Sequence, residues 1–189
     1  MDKSNPAPGA APFGLALFLA SLGVLFAASI VAYYAVRVPA GEAWGLGLPP
    51  LPVLLWASTA VLLLSSVTMH GALRGVRLGL DSHLRGGLYL TAALGTLFLI
   101  LQVVAWQLLY ERAGAPAVKT LYGMTFYFLT GIHGLHVVGG LVPLAITTYK
   151  ARVGAYSLGE HTGVLMCSMY WHFLDVIWLI LFSVLVLVG

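Results

Sequence analysis

The sequence predicts an all-α polytopic membrane protein, five transmembrane helices in an up-down bundle, and two observations carry that expectation. Hydrophobic residues make up 60% of the 189 residues and charged ones only 8%, with a mean hydropathy of +0.97. A soluble domain carries about 25% charged residues, so nine Lys and Arg with six Asp and Glu are too few to coat a water-facing surface. A disordered chain is excluded as well, since it needs low hydrophobicity and high charge. The second observation is the pattern. Five apolar runs each reach the roughly 20 residues that a helix needs to cross a ~30 Å hydrocarbon layer.

The runs lie at about 13–36, 51–73, 87–110, 125–149 and 162–188, and the short connectors hold nearly all the charge. None of the connectors is long enough to fold separately, so residues 1–189 are expected to form a single integral membrane domain. The first run, at about 24 residues, is too long for a signal-peptide core of about 7–15. The prolines before it (Pro6, Pro8, Pro12) suggest an irregular arm ending where the helix starts. With the N-terminus inside, the cytoplasmic pieces hold Lys3, Arg74, Arg77, Arg85, Lys150 and Arg152. The outer pieces hold Arg37, Arg112 and Lys119. That bias predicts N-in and C-out. The net charge of +3 is scattered through loops rather than gathered into a phosphate-binding stripe, so no nucleic-acid partner is expected. Cys167 is the one cysteine and sits in an apolar run, which rules out a disulfide framework or thiolate cluster.

Polar residues inside spans are costly unless satisfied, and so mark the places to look for function. In the fourth run His133 and His136 are spaced i, i+3 on one helical face. They lie roughly 12–17 Å below the outer end at ~1.5 Å per residue. Gly140 lies near that face, and with Gly131 and Gly134 forms a small-residue packing motif. In the fifth run Trp171, Asp175 and Trp178 recur at i, i+4 and i+7, with His172 three residues before the carboxylate. Asp175 lies roughly 20 Å from the inner end, so the histidines of one helix and the Asp of the next reach similar depth.

Three readings are open for His133, His136, His172 and Asp175. They have enough ligands for a metal, although no HExxH is present. A proton relay uses such residues, but the first and third runs supply few polar side chains to continue it. An interhelical hydrogen-bond cluster, with histidines donating to Asp175 or to carbonyls, needs only what is there. A small transporter is a further class, without an inverted repeat to support it. His70, Arg74 and Arg77 at i, i+4 and i+7 end the second run with a basic face, either an anchor or a site for anionic lipid headgroups.

The segments Thr130–Val137 and Tyr170–Trp178 resemble the two signatures of subunit III of the haem–copper terminal oxidases. Leu63–Met69 and Leu97–Gln102 also match its pattern, and the likeness runs from about Gly14 to the end. The size is similar to the short, five-helix bacterial form. The resemblance implies a non-catalytic subunit of a respiratory oxidase in the bacterial inner membrane. Such a complex reduces oxygen to water with electrons from cytochrome c or quinol and translocates protons. The subunit would stabilise subunit I, hold phospholipid and support proton uptake, with subunit II and other oxidase subunits beside it. Haems and copper are expected in the partners and no cofactor in this chain. An accessory subunit of the nitric-oxide-reductase type is the alternative.

Two positions depart from the family pattern. Leu22 and Ala105 stand where the family has glutamates. A histidine that met such a carboxylate is then expected to be neutral, or turned to Asp175 or water. These replacements remove the groups on which Glu-dependent roles rest and leave scaffolding and lipid holding untouched. Replacing Asp175 by Leu is expected to loosen the bundle or its attachment to subunit I.

Overall fold

The computed structural model describes residues 9–41, 44, 51–118 and 120–188. Lys3, Pro6, Pro8 and Lys119, used above for orientation and for the N-terminal arm, lie outside the described residues. Five helices follow one another: α1 Ala10–Ala40, α2 Leu54–Arg77, α3 Asp81–Val118, α4 Leu121–Arg152 and α5 Thr162–Val188. All five are long and apolar enough to cross a membrane, and no strand occurs among the described residues.

Most of the helices overrun the apolar stretches that announce them, because hydropathy marks only the part surrounded by hydrocarbon while the helix continues through the interface. Thus α1 starts at Ala10 and carries Pro12 in its first turn, where a proline displaces no intrahelical hydrogen bond. α3 starts at Asp81, an acidic side chain suited to the positive end of a helix. α2 begins later than hydropathy suggests, after Pro52, and runs to Arg77. Thr120 caps α4 by accepting from the Gly123 amide at 3.1 Å. Only α5 coincides with its apolar run.

Two tight turns reverse the chain at one end of the bundle, and each needs a left-handed residue. Gly79 (φ 69°) follows α2 and Gly154 (φ 73°) follows α4. The amides of Leu80 and Ala155 reach back to the carbonyls of Gly75 and Lys150, closing glycine-capped ends.

Helices α2, α3, α4 and α5 form a ring in which each touches the next and α5 returns to α2. The α2–α3 pair is packed most closely. α1 stands outside, against α5 and α4. Only 17% of its most apolar stretch is buried, against 44% for α5. Phe26 and Tyr33 tie it down. The Tyr33 ring meets Trp44, and Trp44 meets Tyr122 of α4, with centroids 5.6 and 5.8 Å apart, while Arg37 lies over Trp44 at 5.6 Å.

Candidate functional site

The interior of the ring is filled from α5. Trp171 and Trp178 are seven residues apart on its buried face, and both are almost fully enclosed. The Trp171 indole N–H donates to Ser65 Oγ at 2.9 Å, and that of Trp178 to Thr59 Oγ1 at 2.9 Å. Each hydroxyl in turn donates to its own helix, Ser65 to the Leu62 carbonyl and Thr59 to the Leu55 carbonyl. Indole, hydroxyl and carbonyl thus form two closed chains across the α2–α5 contact, which leaves no polar atom of these four side chains unpaired in hydrocarbon. The Trp171 ring continues across to α3, where a Cβ on Gly95 would lie 2.6 Å from it.

One turn away, Ser66 Oγ and His172 Nδ1 share a hydrogen bond of 2.7 Å. The same nitrogen lies 3.8 Å from Asp175 Oδ2. Asp175 is 4% exposed, and its oxygens make no hydrogen bond with any described residue. The His172 ring is 6.4 Å from that of His70, which lies exposed on α2. Arg74 and Arg77 follow on the same helix, also exposed. His70 thereby joins the basic face to the His172–Asp175 pair.

The α4 histidines take a different place. His133 is fully buried and walled by Phe26 of α1, Phe98 of α3 and Trp178 of α5, at centroid distances of 6.3, 5.9 and 5.0 Å. Neither of its ring nitrogens has a hydrogen-bond partner among the described residues. His136 donates from Nδ1 to the Ile132 carbonyl at 2.7 Å and faces Phe26 at 5.3 Å. The four interior residues singled out by sequence therefore fall into two groups. His172 and Asp175 turn to α2, whereas His133 and His136 share the ring of Phe26, and no hydrogen bond joins the groups among the described residues. Trp178, the next aromatic on α5, sets the division by occupying the space beside His133. Leu22, one turn before Phe26, and Ala105 are both buried. No three His, Cys, Asp or Glu side chains among the described residues come close enough to hold a metal ion.

Of the three glycines in the α4 motif, Gly140 is the one that close packing requires. A Cβ there would lie 2.8 Å from the Tyr170 ring and 3.3 Å from Leu174. At Gly131 and Gly134 the nearest atoms, in Trp106 and Leu99, are 3.9 Å away, ordinary contact for a methyl group. Tyr170 also donates to the His136 carbonyl at 3.1 Å.

Ser65, Thr59 and Gly95 were not expected to be partners of the tryptophans. A usable signal exists: hydroxyl residues six apart on α2 face indoles seven apart on an antiparallel helix. Trp106 donates to Thr130 Oγ1 at 3.0 Å and links α3 to α4.

Comparison with known proteins agrees with this architecture. The family described as Cytochrome c oxidase subunit III matches residues 7–189. The chain is similar to cytochrome c oxidase subunit 3 of Thermostichus vulcanus, at 33% identity over 98% of this chain and 90% of the relative. It is 35% identical to the Synechocystis protein of the same name, over 90% of this chain and 72% of the relative. A probable cytochrome c oxidase subunit 3 of Nocardia farcinica is 30% identical over 93% of this chain and 87% of the relative. A match spanning all five described helices, on a bundle whose interior is tied by indole and hydroxyl pairs, places this chain in the cytochrome c oxidase subunit III family.

Proposed function

We propose that the chain is the non-catalytic subunit III of a respiratory haem–copper oxidase, stabilising subunit I, holding phospholipid and supporting proton uptake. The complex reduces oxygen to water, with the haems and copper held by partner subunits. The observation that carries this reading is the use made of the interior polar groups. Trp171, Trp178 and His172 spend their hydrogen bonds on Ser65, Thr59 and Ser66 of α2, holding helices together, and His136 bonds the Ile132 carbonyl of its own helix, so none of these groups converges on a substrate. Removing the chain from the complex is expected to leave oxygen reduction possible at first and to make it decay during turnover. Oxygen-electrode traces check this, and a complex lacking the chain that keeps its full rate contradicts the stabilising role.

The orientation that fits is N-terminus inside, in a bacterial inner membrane. Arg74, Arg77, Arg85, Lys150 and Arg152 all belong to the end of the bundle carrying the α2–α3 and α4–α5 turns, which supports that placement. The exposed row His70, Arg74 and Arg77 suits anionic phospholipid at the same end, each Arg contributing about 1 kcal/mol near a charged surface. Replacing both arginines by Gln is expected to reduce the anionic lipid that co-purifies, measured by lipid extraction. Unchanged lipid content would leave the row as a simple anchor.

A further inference from the structure

Two side chains deep between α3 and α4 hold polar atoms that nothing in the bundle satisfies. Gln102 is 2% exposed and His133 is fully buried. Neither the amide oxygen nor the amide nitrogen of Gln102, and neither ring nitrogen of His133, has a hydrogen bond with any described residue. At ~1.5 Å per residue, Gln102 lies about 14 Å inward of Glu111, at a depth where lipid supplies no hydrogen bonds. The register brings the two together. Phe98, Gln102 and Trp106 are spaced one turn apart along α3. The Phe98 ring meets His133 at 5.9 Å, and Trp106 donates to Thr130, three residues before His133. The two helices run antiparallel, so Gln102 stands level with the stretch between Thr130 and His133.

We infer that one ordered water molecule is enclosed here, bonded to the Gln102 amide and to a His133 ring nitrogen. The amide offers two donor hydrogens and an acceptor oxygen, and an uncharged imidazole offers one donor and one acceptor. A direct bond between them would satisfy one atom of each and leave the others unpaired. Water carries two donors and two acceptors, and a buried water needs two to four polar partners. Thr130 provides a third. Its hydroxyl donates to the Phe126 carbonyl and accepts from Trp106, which leaves one lone pair of the oxygen for the water. Space is available as well. Ala105, fully buried, follows Gln102 on the same face, and a Cβ on Gly131 or Gly134 would find its nearest neighbour at 3.9 Å, against 2.8 Å at Gly140. An ion does not suit the site, since Gln102 and Thr130 bring no charge and Phe26, Phe98 and Trp178 wall His133. The water would join α3 to α4 one turn deeper than the Trp106–Thr130 bond. The inference rests on these side chains alone and is independent of the oxidase assignment.

The test is an electron cryo-microscopy map of the full chain, purified with whatever accompanies it, at a resolution that shows ordered water. A peak is expected within about 2.7–3.2 Å of a Gln102 amide atom and of a His133 ring nitrogen. Gln102 bonded directly to His133, or no peak between them, overturns the inference. Gln102→Met and His133→Phe add a second arm, read as the midpoint of an unfolding titration in mixed detergent micelles. Each single substitution strands the other partner and should lower the midpoint. The double variant removes both polar groups and should lose no more than the worse single one. Losses that simply add would show that the two residues share nothing, and would overturn the inference as well.

Discussion

Trp178→Ala is expected to destabilise the bundle by about 3–5 kcal/mol, the range for emptying a buried aromatic site. The side chain is fully enclosed, closes the wall around His133, contacts Phe98 at 5.1 Å, stacks on Phe182 and bonds Thr59. Its loss opens a cavity bordered by an imidazole whose nitrogens have no hydrogen-bond partner among the described residues and leaves α5 with one tryptophan tie to α2 instead of two. Packing and interhelical hydrogen bonds, not hydrophobic transfer, drive association of helices in lipid, so an interior ring of this size is hard to replace. Trp178→Phe separates the contributions. It keeps most of the ring and removes the hydrogen bond, and should cost only about 0.6–1.7 kcal/mol. Unfolding titrations in mixed detergent micelles measure both. Equal losses for Ala and Phe would mean that the hydrogen bond, not the packing, carries the stability.

Gly87→Ala should also be strongly destabilising, although it adds only a methyl group. A Cβ at residue 87 would lie 2.8 Å from the Thr68 carbonyl oxygen and 2.9 Å from the Ala72 amide nitrogen. Both are backbone atoms of α2, so no side chain can swing aside. The helices must separate, and the hydrogen bond of 2.8 Å between Thr68 and Thr91 separates with them. Overpacking of this kind costs about 1–3 kcal/mol, outweighing the roughly 1 kcal/mol that Ala gains over Gly in a helix. Gly86→Ala is the internal control. Nothing lies within 4 Å of its Cβ, so the neighbouring substitution should be neutral or stabilising. The same micelle titration checks both, and a Gly87→Ala chain as stable as Gly86→Ala would show that α2 and α3 are not in this close contact.

The number and order of the helices are legible in the sequence because a hydrocarbon layer imposes a length and a polarity that local composition must meet. Helix ends are less so. Arg74, Arg77 and Asp81 belong to helices although hydropathy assigns them to connectors, since a polar side chain at the interface costs little. Trp171, Trp178, His172 and Asp175 were identifiable as interior groups from their spacing on α5. Their partners were not, because spacing fixes which residues share a face but not which face meets which neighbour. Hence Ser65 and Thr59 emerge only when α5 closes the ring onto α2, and His133 is found among aromatic rings instead of beside Asp175. The meeting of Gln102 with His133 likewise depends on how α3 and α4 lie together.

The most direct measurement is purification of the chain, tagged at one end, from its own membranes in a mild detergent, with absorption spectra of the reduced sample. The oxidase assignment predicts a large multi-span subunit in near-stoichiometric amount, with haem bands that belong to that partner and vanish when the chain is isolated from it. Recovery of this polypeptide alone, turning over a substrate or carrying its own stoichiometric iron or copper, would contradict it.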